Sequence, residues 1–209
     1  VLWDLGSGKR RKKLGEVGDG PGISMGAALS GDEQRLAYGT ADGTVKVVDI
    51  ASGEELKTIH AEPTEIRFIP GADRLATVAY RNTEVQVWDL SGNEKKVSEP
   101  VSTFTVPGEA GRAAQPALAV HGQWLAAGAG GKDVSIWNSS KREPAKTLTA
   151  RDSVWSLAFS PDGKYLVAGQ AGMNNVVTIW NTSDWSVSQT IDTGEENRAL
   201  VFSPDGKHL

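Results

Sequence analysis

Apolar and polar residues alternate in short runs along the chain, and one kind of run keeps returning. It ends in an aromatic or apolar residue followed by Asp or Asn: VLWD at 1–4, VKVVD at 45–49, VQVWD at 85–89, VSIWN at 134–138 and VTIWN at 177–181. A period of two puts successive side chains on opposite faces of an extended strand. No window of about ten residues carries the spacing of an amphipathic helix. The closing residues Asp4, Asp49, Asp89, Asn138 and Asn181 stand 45, 40, 49 and 43 residues apart. A repeat of that length is one supersecondary unit that buries its faces against its neighbours.

Each unit reads as four short strands. Before the anchor run lies a polar turn: Asp42-Gly43, Arg81-Asn82, Asn174-Asn175 and, less well suited, Lys132-Asp133. Such pairs tolerate the left-handed backbone of tight hairpins. Before that turn comes a strand ending in small residues: RLAYGT at 35–40, DRLATVAY at 73–80, QWLAAGAG at 123–130 and KYLVAGQA at 164–171. A further hairpin precedes it, clearest in Ser160-Pro161-Asp162-Gly163-Lys164 and Ser203-Pro204-Asp205-Gly206-Lys207. Pro donates nothing to a ladder and Asp-Gly turns sharply, so a strand ends there. The first strands are clearest at 153–160 (SVWSLAFS) and 198–203 (RALVFS). More polar fourth strands follow the anchors at 54–60, 145–150 and 186–192. The expected class is all-β.

These features resemble the WD-repeat β-propeller family. The residues that carry the resemblance are Trp3-Asp4, Trp88-Asp89, Trp137-Asn138, Trp180-Asn181, the turn Ala41-Asp42-Gly43-Thr44 and the two Ser-Pro-Asp-Gly-Lys turns. Essentially the whole of residues 1–209 is covered as a single propeller region. The resemblance implies four-stranded antiparallel blades, four complete and a fifth split or partial, with Trp3, Trp88, Trp137 and Trp180 at equivalent third-strand positions. Two departures matter. The family's His before the first strand has one near match, His60, about a residue out of place, and Val48 stands where Trp is usual. The polar network built on that His is therefore expected to be mostly absent, leaving apolar packing and ladder hydrogen bonds.

The chain opens inside one unit and closes inside another, as a window cut from a longer array would. The two part-units are expected to meet as one composite blade, Val1–Leu5 pairing beside the strand that starts near Lys207, because an open edge invites aggregation. Net charge −4 argues against a nucleic-acid partner, and no apolar stretch is long enough to insert in a membrane. With no Cys, thiolate metal sites are excluded, and no His or carboxylate cluster has metal spacing. A cytoplasmic location is the expectation, with the reservation that a signal could precede the first residue given.

Other motifs have bland readings that weigh more. Gly6-Ser7-Gly8-Lys9 has Arg10 where a phosphate loop needs Ser or Thr, and is expected to be a turn. The run Lys9–Lys13 reads as a charged outer strand. The cluster Gly15, Gly18, Gly20, Gly22 reads as an inter-blade loop. Asn138-Ser139-Ser140 and Asn181-Thr182-Ser183 fit a glycosylation sequon, but both Asn residues are anchors. Lys95 to Gln115 reads as the longest connection, and long loops are often functional.

The candidate surface is a rim. The family resemblance implies that Trp155 lies at the entrance of the central channel, with counterparts at Met25, Thr64, roughly Pro116, and Arg198. Trp, Met and Arg are enriched at protein interfaces. The competing reading packs Trp155 between blades. The resemblance implies a non-catalytic scaffold that presents loops to a protein or peptide partner, without cofactor or metal. A structural spacer within a larger protein is the alternative. An enzymatic propeller is a remoter one, since it needs His, Glu or Asp converging at the channel mouth and the inferred rim set has none.

Overall fold

Each repeat folds as a sheet of its own. The computed structural model describes residues 2–4, 6–12, 26–61, 63–79, 83–107, 116–138, 144–173 and 175–209. A hairpin of β1 (Leu2–Asp4) and β2 (Lys9–Lys12) comes first. Next is a sheet of β3 (Ala27–Leu29), β4 (Arg35–Gly39), β5 (Thr44–Asp49) and β6 (Glu55–His60). The third unit has β7 (Pro63–Ile69), β8 (Arg74–Ala79) and β9 (Glu84–Asp89); the chain then passes through β10 (Lys96–Val97) before supplying its outer strand, β11 (Ser102–Thr105). The fourth has β12 (Ala117–His121), β13 (Trp124–Gly128), β14 (Asp133–Asn138) and β15 (Pro144–Thr149). The fifth has β16 (Ser153–Phe159), β17 (Tyr165–Ala171), β18 (Val176–Asn181) and β19 (Val187–Asp192). All ladders are antiparallel except β10, which lies parallel to β6. No helix occurs among the described residues. The first strands β3, β7, β12 and β16 touch in series, so four complete blades fan out from one inner line.

The anchors are equivalent in register. Trp88, Trp137 and Trp180 each lie opposite a second-strand Leu: Leu75, Leu125 and Leu166. Val48 faces Leu36 in the same way. The fourth strands of three sheets skip one residue just before the anchor, as in Ile136↔Lys146 followed by Trp137↔Pro144. The same skip sits between Leu2 and Trp3, which puts Trp3 in register with the others. The three anchor Trp side chains that the structure describes, Trp88, Trp137 and Trp180, are buried, and each joins the apolar cluster of the preceding blade. Trp88 packs with Val45, Val47 and Ile59, Trp137 with Val85, Val87 and Phe104, and Trp180 with Val134, Ile136 and Leu148. The Phe104 and Trp137 ring centroids are 5.4 Å apart.

The anchor Asp and Asn residues cap the turn into the fourth strand. Asp49 Oδ1 accepts from the Ser52 N–H and hydroxyl, both at 2.7 Å, and Asp89 Oδ1 does the same with Ser91. Asn181 uses its amide, donating to Ser186 Oγ at 3.2 Å. The first hairpins share a second device. In Ser160–Tyr165 the hydroxyl donates to Asp162, the Lys164 N–H donates to Asp162, and the Tyr165 N–H donates back to Ser160 Oγ. Ser203–His208 repeats it, and so does Ser30–Arg35, which the sequence pattern does not single out. The fourth residue of each is left-handed: Gly163, Gly206 and, unusually, Glu33 at φ 57°.

Four expectations need correction. Residues 198–203 form no strand, and Val201 is 78% exposed. A first strand needs a second strand to bond to, and none pairs with these residues among those described. For the same reason the composite blade does not form: β1 pairs with β2 alone among the described residues. The stretch from Lys95 is not one long connection, since β10 and β11 lie within it; 108–115 are outside the described residues. In the fourth blade the left-handed turn residue is Gly130, not Lys132 or Asp133. Arg81-Asn82, Ser139-Ser140, Asn174 and the cluster Gly15 to Gly22 lie outside the described residues.

The polar network is sparse but present. Trp88 Nε1 donates to Thr77 Oγ1 at 2.9 Å, whereas the matching positions Ala127 and Ala168 offer no side-chain acceptor. In the last blade Gln170 donates to Thr178 Oγ1 at 2.7 Å and accepts from the Asp152 N–H at 2.7 Å. Ser135 matches Thr178, but Ala129 stands where Gln170 would be, and the Ser135 hydroxyl is buried without a partner. Leaving such a group unpaired costs about 1–3 kcal/mol. Ser135→Ala should therefore raise stability by about 1 kcal/mol in denaturant unfolding, whereas Trp137→Ala should lower it by about 3–5 kcal/mol, the range for emptying a buried aromatic site.

The turn aspartates set the response to acid. Asp32, Asp162 and Asp205 are held below the usual carboxylate range, first by the Ser hydroxyl and then by the backbone N–H two residues on; Asp162 falls from 3.8 to about 2. Unfolded, these groups bind protons near 3.8; folded, they stay ionised to lower pH. The unfolded state thus binds more protons as pH falls from about 4 toward 2, and stability drops across that window. The thermal midpoint should decline there, and Asp162→Asn should flatten the decline.

Candidate functional site

The first strands carry the feature that builds the site. In β16, Val154 faces Gln170 and Ser156 faces Gly169, so Trp155 is the extra residue of a bulge. In β7, Pro63 faces Ala79 and Glu65 faces Val78, so Thr64 has the same place. A bulge kinks the strand and re-aims a side chain. It also shifts the alternation: Val154 and Leu157 are buried, while Trp155, Ser156 and Phe159 are half-buried. Strict alternation along 153–160 would put Trp155 on one face with Leu157 and Phe159, and the bulge takes it out of that alternation. Met25, the third rim candidate, lies outside the described residues.

Arg198 reaches Trp155 without a strand to carry it. Gly169 makes this possible: a Cβ there would stand 2.3 Å from Ser156 Oγ and 2.6 Å from the Asn197 carbonyl oxygen. The space is taken instead by the Asn197 backbone, whose carbonyl accepts from Ser156 Oγ at 2.9 Å and whose N–H donates to the Gln170 carbonyl at 3.3 Å. The chain then delivers the Arg198 guanidinium to 5.0 Å from the Trp155 ring centroid. Glu196 holds it in place, its Oε2 accepting from Nε at 2.9 Å and Nη2 at 2.7 Å.

Trp155 and Arg198 line a cavity of about 120 Å³ together with Glu65, Arg67, Leu118 and Leu157. Its walls come from β7, β12, β16 and the segment after β19, so it lies on the inner line of first strands. Burial pushes the Glu65 carboxyl up, and Arg67, 2.8 Å away, opposes that shift. Arg67 also donates to the Ile66 carbonyl at 2.8 Å. The arrangement is an aromatic wall, a stacked guanidinium and a half-buried ion pair. It suits recognition of a polar side chain. The sequence reading passed over Glu65 and Arg67. The signal was there, because two charges two residues apart on an inner strand share one face and need a reason to be there.

The remaining candidates fall into structural places. Gly6-Ser7-Gly8 is the turn between β1 and β2, with Gly8 at φ 64°. Lys9–Lys12 of the basic run form β2, which pairs with β1. His60 ends β6, His121 packs on Phe159, and His208 closes a turn. No group of His, Cys, Asp and Glu among the described residues could hold a metal ion.

Residues 142–181 match the family model described as WD domain, G-beta repeat. The chain is 28% identical over 170 residues to the serine-threonine kinase receptor-associated protein of Mus musculus, covering 77% of this chain and 46% of that protein. This is a WD-repeat chain. The corresponding protein of Gallus gallus is 30% identical over 171 residues, again with 46% covered. The nuclear distribution protein nudF of Emericella nidulans is 28% identical over 162 residues, 36% of its length. The WD-repeat chain thus spans about half, or less, of the relatives it matches. In fold it is similar to a chain in the crystal structure of the mitotic checkpoint complex, with a TM-score of 0.76 and 22% identity, over 97% of this chain and 60% of that one. WD-repeat proteins generally serve as protein-interaction scaffolds.

The site depends on a missing methyl group. Gly169→Ala should displace Asn197 and lower stability by about 1–3 kcal/mol, as overpacking does. Amide exchange of residues 195–200 should quicken at the same time, while the blade of β7–β9 stays unchanged.

Proposed function

We propose that this WD-repeat chain is a non-catalytic binding platform for a protein or peptide partner, and that the contact centres on Trp155 and Arg198 at the axial cavity. The observation that carries the reading is the stack of the Arg198 guanidinium on a half-buried Trp155, held by a bulge on an inner strand. A bulge spends ladder bonding to turn a large aromatic out of the sheet. A residue needed only for packing between blades would gain nothing from that. Stacked Trp–Arg pairs lose little side-chain freedom on binding, which suits an interface anchor. Thr64 has the same bulge position on β7 and joins the proposed rim. The spacer alternative has no use for an ion pair and a stacked cation around an open cavity.

The test separates binding from stability. Take a protein retained by the wild-type chain, purify it and titrate it by calorimetry. Trp155→Ala and Arg198→Ala should each weaken its Kd about ten-fold or more, while the thermal midpoint moves by only about 2 °C, as for an exposed cation–π contact of about 0.5–1 kcal/mol. Unchanged affinity in both variants would move the contact elsewhere. A loss of about 3–5 kcal/mol of stability in Trp155→Ala would show it to be core.

A further inference from the structure

The cavity at Trp155 is small, and its wall carries a surplus of positive charge. A volume of about 120 Å³ is room for the end of one side chain, well short of the roughly 300–1,000 Å³ of a small-molecule pocket. Two guanidiniums, Arg67 and Arg198, and one carboxylate, Glu65, line it. Burial disfavours the charged form of that carboxylate. The guanidiniums also keep donors in reserve. Arg198 gives Nε and Nη2 to Glu196 Oε2, and its Nη1 has no hydrogen-bond partner among the described residues. Arg67 uses one nitrogen, Nη1, for both the Ile66 carbonyl and Glu65, so its Nε and Nη2 are without a partner among the same residues. One face of Trp155, a surface that would otherwise suit a cation, is covered by Arg198 itself at 5.0 Å.

We propose that the cavity takes a carboxylate of the partner, from an Asp or Glu side chain or from a chain end, held between Arg67 and Arg198. This rests on the reading of Trp155 and Arg198 as the centre of the contact, and it gives that contact its chemistry. A guanidinium offers donors only, whereas a carboxylate accepts at both oxygens and matches the guanidinium fork. The amide of Asn or Gln would turn an NH2 group toward those donors. Lys or Arg would add like charge to a wall that already has a surplus, and would find the stacking place on Trp155 taken.

Indole N–H resonances test this. The Trp155 signal is assigned by its loss in Trp155→Phe, and the whole chain is titrated at constant ionic strength. N-acetylglutamate amide and N-acetylalanine supply a side-chain and a chain-end carboxylate. At least one should move that signal saturably, and the tighter of the two names the source. N-acetylglutamine amide, the neutral isostere, and Nα-acetyllysine amide should bind at least about ten-fold more weakly. Arg67→Met and Arg198→Met should each remove that preference, while the comparison of probes on the wild-type chain needs no variant. A glutamine or lysine probe that binds as tightly as the carboxylates overturns the proposal. So does the lack of a saturable shift with either carboxylate up to about 50 mM. A partner that loses affinity in Trp155→Ala and Arg198→Ala, with no carboxylate preferred, would leave the platform standing and remove the carboxylate. Selective carboxylate binding with the partner's affinity unchanged would keep the carboxylate site and move the platform elsewhere.

Discussion

The packing of each anchor Trp into the blade before it is the interaction on which the rest of this structure depends. Trp88, Trp137 and Trp180 leave their own third strands and fill the apolar face of the preceding sheet. A four-stranded sheet of short strands cannot bury its faces alone. Stacking in series solves that, and it requires both faces of the inner strands to be apolar. This is why β13 and β17 read as runs of Leu, Val and Ala and not as strict alternations.

A stack of that kind fixes the first strands relative to one another, and the candidate site is made from them. Glu65 and Arg67, Leu118, and Trp155 come from three blades, so no one repeat contains the cavity. Its position is decided by inter-blade packing, whereas its chemistry is decided by substitutions that leave that packing alone. The bulges at Thr64 and Trp155 are the point of contact between these two levels. They remove a residue from the ladder at the strand start and leave the anchors, at the far end of the third strands, in register.

What the sequence disclosed follows the same division. The strands, their order within a blade and the equivalence of the anchors were legible because each depends on local periodicity and turn chemistry. The bulge at Trp155 was not, since simple alternation predicts no slip and the partner residue, Gly169, is fourteen positions away. β11 was missed because Ser102–Thr105 is short and carries one apolar residue, Phe104, whose worth lies in its contact with Trp137 of the next blade. The charges of Glu65 and Arg67 on an inner strand were legible, but their place beside Arg198, far along the chain, appears only once the cavity is closed.

The last residues show how far local encoding reaches by itself. Ser203–His208 makes all three hydrogen bonds of the Ser160–Tyr165 hairpin and keeps a left-handed Gly, yet the strand it should terminate does not form. The turn needs only its own six residues: a hydroxyl, a carboxylate and two backbone N–H groups. The strand needs a neighbour, because its N–H and C=O groups gain nothing from extension unless a ladder receives them. The turn is nevertheless positioned, its Gly206 lying against Pro161 of the equivalent turn, where a Cβ would stand 3.5 Å from the proline ring. In the preceding pair Gly163 lies close against His121, where a Cβ would stand 2.4 Å from the ring. Turn-on-turn contact therefore sets the spacing of successive units at one end of the blades, as the anchor Trp sets it between their faces.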